Sequence, residues 1–423
     1  MDCADRGDTL TGICRDISVC VAEGTTNEQV VTKHLDGLQL TTPNVYDANH
    51  EGLNIFQWLV NGECNVLAAD GVFDGEGSVR ELGYTGPFMT SDMIHSKEPL
   101  AVMTRGDDTE FGDFVNWVLK ALIAATDMDI SKEDASRFPT TNVFGDEYGT
   151  MFVDAIAAEG NLGDILNRTV INQGIMNTVN DGSEGMMYSF PLGDTRLANS
   201  DPVAGGRLEA ISNRGTLRCG IIGDRPGFAM YNTSSDEWYG LDVDYCRGIT
   251  AALFVQHEGN LELVEFSDSS EGFVALANAE IDVLAGAPYS IDNDIKEATM
   301  GEGFSFGPLY FHGSVVDMPG TASQLPSIAL ASKEDDTQWS DFLRWLTYIT
   351  IHAEEEGITR ETASELPIVE LFGNDLKQSI RDLIITTGNY GEMYERDVEA
   401  YIPRSGRNFL NDGGSPQFDP SSW

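Results

Sequence analysis

The sequence predicts a mixed α/β protein with two α/β lobes and two copies of a helical tail. Short apolar runs alternate with helical stretches over residues 15–96 and again over residues 208–318, a pattern typical of a mostly parallel sheet covered by helices. A helical segment follows each of these regions in the chain, and the two segments match each other in one ungapped sequence register. The 423 residues are 41% hydrophobic and 9% aromatic, which suffices for about three units with buried cores.

The two α/β regions each predict strands separated by helices. In the first region the expected elements are a strand at 17–21, helices at 27–35 and 52–61, and a strand at 65–68. In the second region they are strands at 216–222, 261–266 and 281–285, with helices at 241–254 and 271–279. The composition of residues 191–207, rich in Pro, Gly, Asn, Ser and Asp, predicts a linker between the two halves.

An internal repeat with an offset of 228 residues is the strongest organisational signal. Phe114 and Trp117 of the first copy match Phe342 and Trp345 of the second. The register continues through Ile130 with Ile358, Ala135 with Ala363, Phe144 with Phe372, and Gly160-Asn161 with Gly388-Asn389. Each copy predicts an amphipathic helix, a second helix and a glycine-marked turn.

The charge excludes several classes of partner. Lys and Arg total 25 and Asp and Glu total 69, a formal net charge of −44. Without a basic stripe the chain is not expected to bind nucleic acid, and an anionic membrane surface would repel it. No apolar run approaches the ~18 residues of a spanning helix, so membrane insertion is not expected either.

Catalytic and metal motifs are missing from the sequence. No Gly-x-Ser-x-Gly, phosphate loop or Rossmann glycine set stands in its required context, and the six histidines show no metal-ligand spacing. We therefore expect a protein that is not an enzyme and has no cofactor and no metal site.

Six cysteines favour three disulfides and therefore an oxidising, extracellular compartment, although six buried free thiols are the alternative. Two sequons, at Asn167 and Asn232, agree with secretion if the source is eukaryotic and are candidate glycosylation sites.

Residues 208–290 resemble the first lobe of solute-binding protein family 3, the polar amino-acid receptors of ABC importers. The motifs that carry the resemblance lie at 208–211, 214–217, 226–229, 240–247 and 281–284. Residues 15–75 resemble the second lobe of the same family, and the segments 96–100, 105–108 and 388–396 resemble its closing part. The likeness is greatest to the subgroup that binds general L-amino acids, and it implies lobes of the type II periplasmic-binding-protein fold.

The order of these parts departs from that of the family, which runs first lobe, second lobe and then a tail. Here the first half lacks a first lobe, the second half lacks a second lobe, and a short loop stands where that second lobe would be inserted. The expected divisions are a second-lobe-like domain at 1–96, a first tail at 97–190, the linker at 191–207, a first-lobe-like domain at 208–318, the loop at 319–326 and a second tail at 327–423.

The resemblance also implies one disulfide in each lobe. These are Cys20–Cys64 in the second lobe and Cys219–Cys246 in the first, which leaves Cys3–Cys14 as a local third bridge.

Ligand-binding candidates follow from the same resemblance. In the second lobe, Gly24, Thr25 and Thr26 at a strand-to-helix turn offer N–H groups and hydroxyls to a carboxylate, and Asp70 stands at the family's ammonium position. The alternative interpretation is a helix cap for the first three residues and a turn for Asp70.

The first lobe offers a weaker set of candidates. Phe228 and Tyr289 are candidate aromatic walls and Ser290 keeps a hydroxyl, but Asn293 stands where the family places the arginine that binds the carboxylate. Because an amide carries no positive charge, we expect free L-amino acids to bind weakly or not at all.

Two functions remain open at this point. The first is a secreted structural or interaction protein that self-associates, head to tail, into a filament or another homo-oligomer. Its motive is the apolar face of a helix at 112–125, expected to pack on the second lobe or to complete a neighbour's lobe, unless the tail forms a private mini-domain. The alternative is an extracellular receptor that still binds an amino acid or another small polar solute for uptake.

Overall fold

A computed structural model describes most of the chain. The described residues are 18–23, 25, 27–28, 31, 44–46, 55–69, 75–90, 101–105, 108–169, 202–254, 259–295, 303–313, 315–318, 321–368 and 372–410. They divide into two compact units, the first from Met1–Glu98 and Leu166–Val179 and the second from Pro99–Ile165 and Asn180–Trp423.

The first unit contains a three-stranded parallel sheet in the order β2-β1-β3. Its elements are β1 (Val19–Ala22), β2 (Asn44–Tyr46), α1 (Ile55–Asn61), β3 (Val66–Leu67) and α2 (Gly75–Glu81). The predicted strands at 17–21 and 65–68 and the helix at 52–61 correspond to β1, β3 and α1. Strand β2 was not predicted because three residues are too short to show a period of two.

The second unit is built on a five-stranded mixed sheet in the order β7-β4-β8-β12-β9. These strands are β4 (Leu217–Ile222), β7 (Leu261–Phe266), β8 (Val283–Pro288), β9 (Phe304–Phe306) and β12 (Ile328–Lys333). Strands β4, β7 and β8 are parallel, whereas β12 runs antiparallel to β8 and β9. The central strands β8 and β12 are almost wholly buried because helices cover both faces of the sheet.

Two hairpins complete the strands of the second unit. They are formed by β5 (Met230–Asn232) with β6 (Glu237–Tyr239), and by β10 (Val315–Met318) with β11 (Thr321–Gln324). The segment at 319–326, expected to be a loop, therefore contains the strand β11.

The helices of the second unit include all the long helices of the two tails. They are α3 (Thr109–Asp127), α4 (Met151–Glu159), the first half of α5 (Leu162–Thr169, which belongs to the first unit from Leu166 onward), α6 (Arg207–Arg214), α7 (Leu241–Leu253), α8 (Ser269–Ala277), α9 (Ile291–Asp294), α10 (Thr337–Glu355), α11 (Ser379–Thr387) and α12 (Tyr390–Asp397). Short 3-10 turns lie at Lys132–Arg137, Asp146–Tyr148, Ala363–Glu365, Asn374–Leu376 and Gly406–Asn408. The mixed α/β class predicted from the sequence is confirmed.

Each tail covers a different side of the same lobe. One core layer unites the helices α6, α7 and α10–α12 with buried side chains of β4, β8 and β12. The other unites α3, α4 and α8 with the opposite side chains of those strands and with β9. The sheet of the second unit therefore lies between the two copies of the repeat.

This arrangement corrects the expectation for the first tail. We expected α3 to pack on the second lobe, to complete a neighbour's lobe or to form a mini-domain of its own. Instead Trp117 of α3 is 1% exposed, and it packs in the layer that contains Phe273 and Leu284 of the lobe at 208–318 in its own chain. Trp117, the central side chain of the apolar face that motivated the prediction of a filament, is therefore covered within the chain, whereas Leu119 of the same helix is 38% exposed.

Candidate functional site

The candidate site lies at the carboxyl ends of β4 and β8, two neighbouring parallel strands. In open α/β sheets ligands bind in the crevice beyond these ends, at the point where the strand order reverses, and the order β7-β4-β8 reverses between β4 and β8. Residues 223–229 follow β4, and residues 289–294 follow β8 and include α9.

Phe228, a predicted wall, lies beyond the end of β4 and is 2% exposed. Its ring meets the ring of Phe311 edge-on, with 4.8 Å between the centroids. The side chain thus belongs to the core layer of α7 and α10 and forms the base of the loop that it was expected to line.

Tyr289 follows β8 directly, but its ring lies in the opposite layer. It stacks on Trp117 at 5.6 Å with an interplanar angle of 18°, and it meets Phe306 edge-on at 5.1 Å. Only 7% of the residue is exposed. The structure therefore places this predicted wall against the first tail.

Ser290 and Asn293 form the cap of α9. The Ser290 hydroxyl accepts a hydrogen bond from the Asn293 backbone N–H at 3.2 Å, and the Asn293 amide donates to the Pro288 carbonyl at 2.9 Å. Both side chains are engaged in local structure at the strand edge, so their roles in ligand binding remain predictions.

Of the four ligand-binding candidates in the second lobe, the structure describes only Thr25. Its hydroxyl donates to the Ala22 carbonyl at 2.7 Å and accepts from the Glu28 N–H at 3.3 Å, which is the geometry of a helix cap. Gly24, Thr26 and Asp70 lie outside the described residues.

A polar network that the sequence analysis missed joins the loop after β4 to β8. Arg225 donates from Nη1 to the Gly286 carbonyl at 2.7 Å. Tyr310 donates to Oδ1 of Asp242 at 2.7 Å and accepts from the Gly286 N–H at 2.6 Å. The other carboxylate oxygen, Oδ2, accepts no hydrogen bond from the described residues.

Gly286 permits this network because it has no side chain. Its φ is +70°, and a Cβ there would lie 2.3 Å from Oδ2 of Asp242. Burial raises the pKa of Asp242 to about 6, opposed by the charge of Arg225 and the hydrogen bond from Tyr310. The signal in the sequence was Arg225 itself, a basic residue directly after a buried strand of a very acidic chain.

Arg225 borders an apolar recess near the carboxyl end of β4. The recess is about 10 Å³, room for about one water molecule, and is lined by Arg225, Phe228, Phe311, Leu325, Pro326 and Ile328. The arrangement combines a guanidinium, whose planar donors match a carboxylate, with the half-buried apolar side chains of Leu325 and Pro326.

A larger open groove lies on the second tail, away from the strand ends. Its lining residues are Thr359, Arg360, Glu361, Glu392, Glu395 and Arg396. Arg396 is already committed there, since it pairs with Asp244 and Asp397 and donates to the Thr387 carbonyl at 3.0 Å. We therefore place the candidate site at the carboxyl ends of β4 and β8.

The disulfides and sequons can be located in part. Cys20–Cys64 joins β1 to the segment before β3, and Cys219–Cys246 joins β4 to α7. Cys3 and Cys14 lie outside the described residues. Asn167 on α5 and Asn232 on β5 are both exposed.

The described residues contain neither a metal-binding cluster nor a membrane-spanning helix. No group of three or more His, Cys, Asp or Glu side chains is arranged there to hold a metal ion. No helix among those residues is both long and apolar enough to cross a bilayer.

Comparisons with known proteins were made for the whole chain, and no family model matches it. The general L-amino acid-binding periplasmic protein AapJ of Rhizobium johnstonii is 24% identical over 322 residues, which cover 50% of this chain and 92% of AapJ. The glutamate/glutamine/aspartate/asparagine-binding protein BztA of Rhodobacter capsulatus is 29% identical over 102 residues, covering 20% of this chain and 30% of BztA.

A solved structure was also found, an ABC transporter periplasmic binding protein from Brucella ovis with glutathione bound. It is 20% identical, with a TM-score of 0.37, and the match covers 48% of this chain and 94% of that one. On the sequence comparisons, the chain is over about half its length a distant homologue of the amino-acid-binding periplasmic proteins of ABC importers, solute-binding protein family 3, which are not enzymes.

Proposed function

We propose that this protein is a non-catalytic receptor that binds a small polar solute outside the cytoplasmic membrane. The observation that carries the proposal is the alignment with AapJ, which includes 92% of that periplasmic amino-acid-binding protein. Two disulfides, Cys20–Cys64 and Cys219–Cys246, support an oxidising compartment.

Arg225 is proposed to bind the anionic group of the solute. It stands at the strand edge where α/β proteins bind ligands, and within the described residues its guanidinium makes one hydrogen bond, to the Gly286 carbonyl. The remaining N–H groups can donate to a carboxylate, which Asn293 cannot attract by charge. Leu325 and Pro326, the half-buried residues that line the recess, supply the apolar wall beside it.

The rearranged order of the lobes is part of the proposal. The alignment is 322 residues long but includes only 50% of the 423 residues of this chain. AapJ therefore has residues without a counterpart here. The hairpin of β10 and β11 occupies the place where the family order puts a second lobe. We infer that the divisions at 1–96, 97–190, 208–318 and 327–423 record a duplication followed by loss of complementary lobes.

Titration calorimetry with the twenty L-amino acids, short peptides and small dicarboxylates tests the receptor. We expect weak binding of free amino acids because of Asn293, and tighter binding of a solute whose anionic group reaches Arg225. Arg225→Ala should weaken that binding at least about tenfold, the loss of one charge-assisted hydrogen bond. The matched control is Arg381→Ala, since Arg381 also binds a backbone carbonyl, that of Leu366, but in the second tail.

Two outcomes would count against the receptor or its site at Arg225, and a third would count only against the role of Asn293. Equal affinity in the wild type and Arg225→Ala would place the anion elsewhere, and no binding across the panel would contradict the receptor. Micromolar affinity for a common free amino acid would contradict the limit that we assign to Asn293.

Self-association into a filament has no comparable support. Trp117, which was expected to drive it, is buried in its own chain. Light scattering at physiological salt that gives the 46.1 kDa monomer mass at all concentrations would agree with the receptor.

A further inference from the structure

The ammonium group of Lys120 lies between two aromatic rings. Its Nζ is 4.5 Å from the centroid of the Trp117 ring and 4.7 Å from that of Tyr289, and it donates to the Tyr289 hydroxyl. Lys120 and Trp117 come from α3, whereas Tyr289 follows β8 and lies 169 residues further along the chain.

Acidic groups hold this cage in place. Trp117 donates from Nε1 to Oδ2 of Asp294 at 2.6 Å, and Asp294 is 6% exposed at the end of α9. The carboxylates of Asp294 and Asp113 attract Lys120, while Arg344 of α10 repels it. Burial lowers the pKa of Lys120 and raises that of Asp294, and each opposes the shift of the other.

Such surroundings match the chemistry of an alkylammonium ion. Aromatic faces attract a cation through the negative potential above the ring, more strongly when water is excluded. A nearby carboxylate supplies the charge that a partly buried cation needs. The hydroxyl of Tyr289 accepts one of the three ammonium hydrogens.

We propose that Trp117, Tyr289 and Asp294 form a binding site for a primary alkylammonium group, which this chain fills with its own Lys120. The internal ligand fastens the first tail to the lobe and keeps Tyr289 covered. The second tail lacks the site, because the residue equivalent to Lys120 in the repeat is Tyr348. The cage lies in a different core layer from Phe228 and Phe311, so it does not depend on the receptor site proposed at Arg225.

Chemical rescue of the full chain tests the site. Lys120→Ala removes three methylene groups and the ammonium, and n-propylammonium contains the same heavy atoms. We expect Lys120→Ala to unfold at a lower temperature than the wild type. Added n-propylammonium chloride should raise its Tm in a saturable way by a few degrees, as ligand binding to the folded state does.

Three controls separate the cage from a general solvent effect. The neutral probe 1-propanol should give no rescue, because it has no charge. Lys120→Met fills the space without a cation and should not respond to the amine. Lys132→Ala, which removes an ammonium bound to the Ala158 carbonyl on the surface of the same tail, should not respond either. Equal responses of Lys120→Ala and Lys132→Ala would overturn the proposal.

A second measurement applies if Lys120→Ala does not fold. In the wild-type protein with labelled lysines, the ε-methylene protons of Lys120 should be shifted upfield by the ring currents of Trp117 and Tyr289, with Lys120→Arg giving the assignment. A Lys120 resonance at the position of a solvent-exposed lysine would contradict the cage. Neither experiment involves Arg225 or a solute, so its failure would leave the receptor proposal standing.

Discussion

The two tails carry the same repeat, yet they bury different faces of it. Helices α3 and α10 are each 19 residues long, and each begins after an aspartate whose side chain accepts a backbone N–H. The distances are 3.0 Å at Asp108 and 2.9 Å at Asp336. At equivalent positions, however, Phe111 is 53% exposed whereas Trp339 is 1% exposed.

The internal frame of each copy is nevertheless the same. Asn161 donates to the Ile130 carbonyl at 3.0 Å, and its equivalent Asn389 donates to the Ile358 carbonyl at 2.8 Å. The preceding glycines, Gly160 and Gly388, have φ values of +81° and +85°. Local structure therefore follows the repeated sequence, while the surface against which each copy packs decides which side chains are buried.

The largest effect is expected at the first aromatic position of the helix. Trp339→Ala should lower the free energy of unfolding by about 3–5 kcal/mol, since it empties a buried site and leaves the Asp282 carbonyl without its 2.9 Å hydrogen bond. Phe111→Ala should change it by less than about 0.5 kcal/mol. Urea denaturation measures both, and equal losses would mean that the two copies bury the same face.

In the second comparison the larger loss of stability is expected in the first copy of the repeat. Trp117→Phe removes the hydrogen bond to the buried Asp294 and should cost about 1–3 kcal/mol. Trp345→Phe, at the equivalent and half-buried position, should cost less than about 0.5 kcal/mol. Thermal unfolding of the two variants side by side is the measurement. A greater loss at Trp345 would contradict the packing of α3.

The third prediction concerns pH and only the second tail. Burial and the neighbouring Asp244 raise the pKa of Asp397 to about 7, opposed by Arg396. Because the folded value exceeds the ordinary 3.8, this contribution to stability is complete below about pH 4 and is lost as the pH rises through about 7. The slope reaches at most about 1.4 kcal/mol per pH unit for one proton.

Asp397→Asn should flatten this dependence of stability on pH. The control is Thr169→Ser, because Thr169 is the position in the first tail that is equivalent to Asp397 and it has no titratable group. This change keeps the sequon of Asn167 and should leave the slope unchanged. Urea midpoints measured from pH 4 to 8 give the comparison. Parallel curves for the wild type and Asp397→Asn would show that this carboxyl group does not titrate in that range.

The smallest difference in stability loss between the two copies is expected at the asparagine that they share. Asn161→Ala and Asn389→Ala each remove two hydrogen bonds of the asparagine side chain, one to a carbonyl and one from a capped backbone N–H, and each should cost about 1–2 kcal/mol. Urea denaturation should give losses of similar size. A loss at Asn389 several times that at Asn161 would indicate that the frame of the second copy depends on its surroundings.

Several features of the site were accessible from the sequence because they are local or carried by motifs. The disulfides Cys20–Cys64 and Cys219–Cys246 followed from the resemblance and are present in the structure. The strand before Tyr289 was predicted from its apolar run, and Tyr289 itself was a candidate from the resemblance. The direction of its ring was not, since it depends on Trp117, which is distant in sequence.

The sequence by itself determined the α/β class and the repeat, because apolar periodicity acts over a few residues. Only the tertiary structure decided that the first tail packs on the lobe of its own chain. The hydrogen bond from Trp117 to Asp294 spans 177 residues, and no local pattern selects such a partner. The buried network of Arg225, Asp242 and Tyr310 is non-local for the same reason, since its members meet only after the sheet has formed.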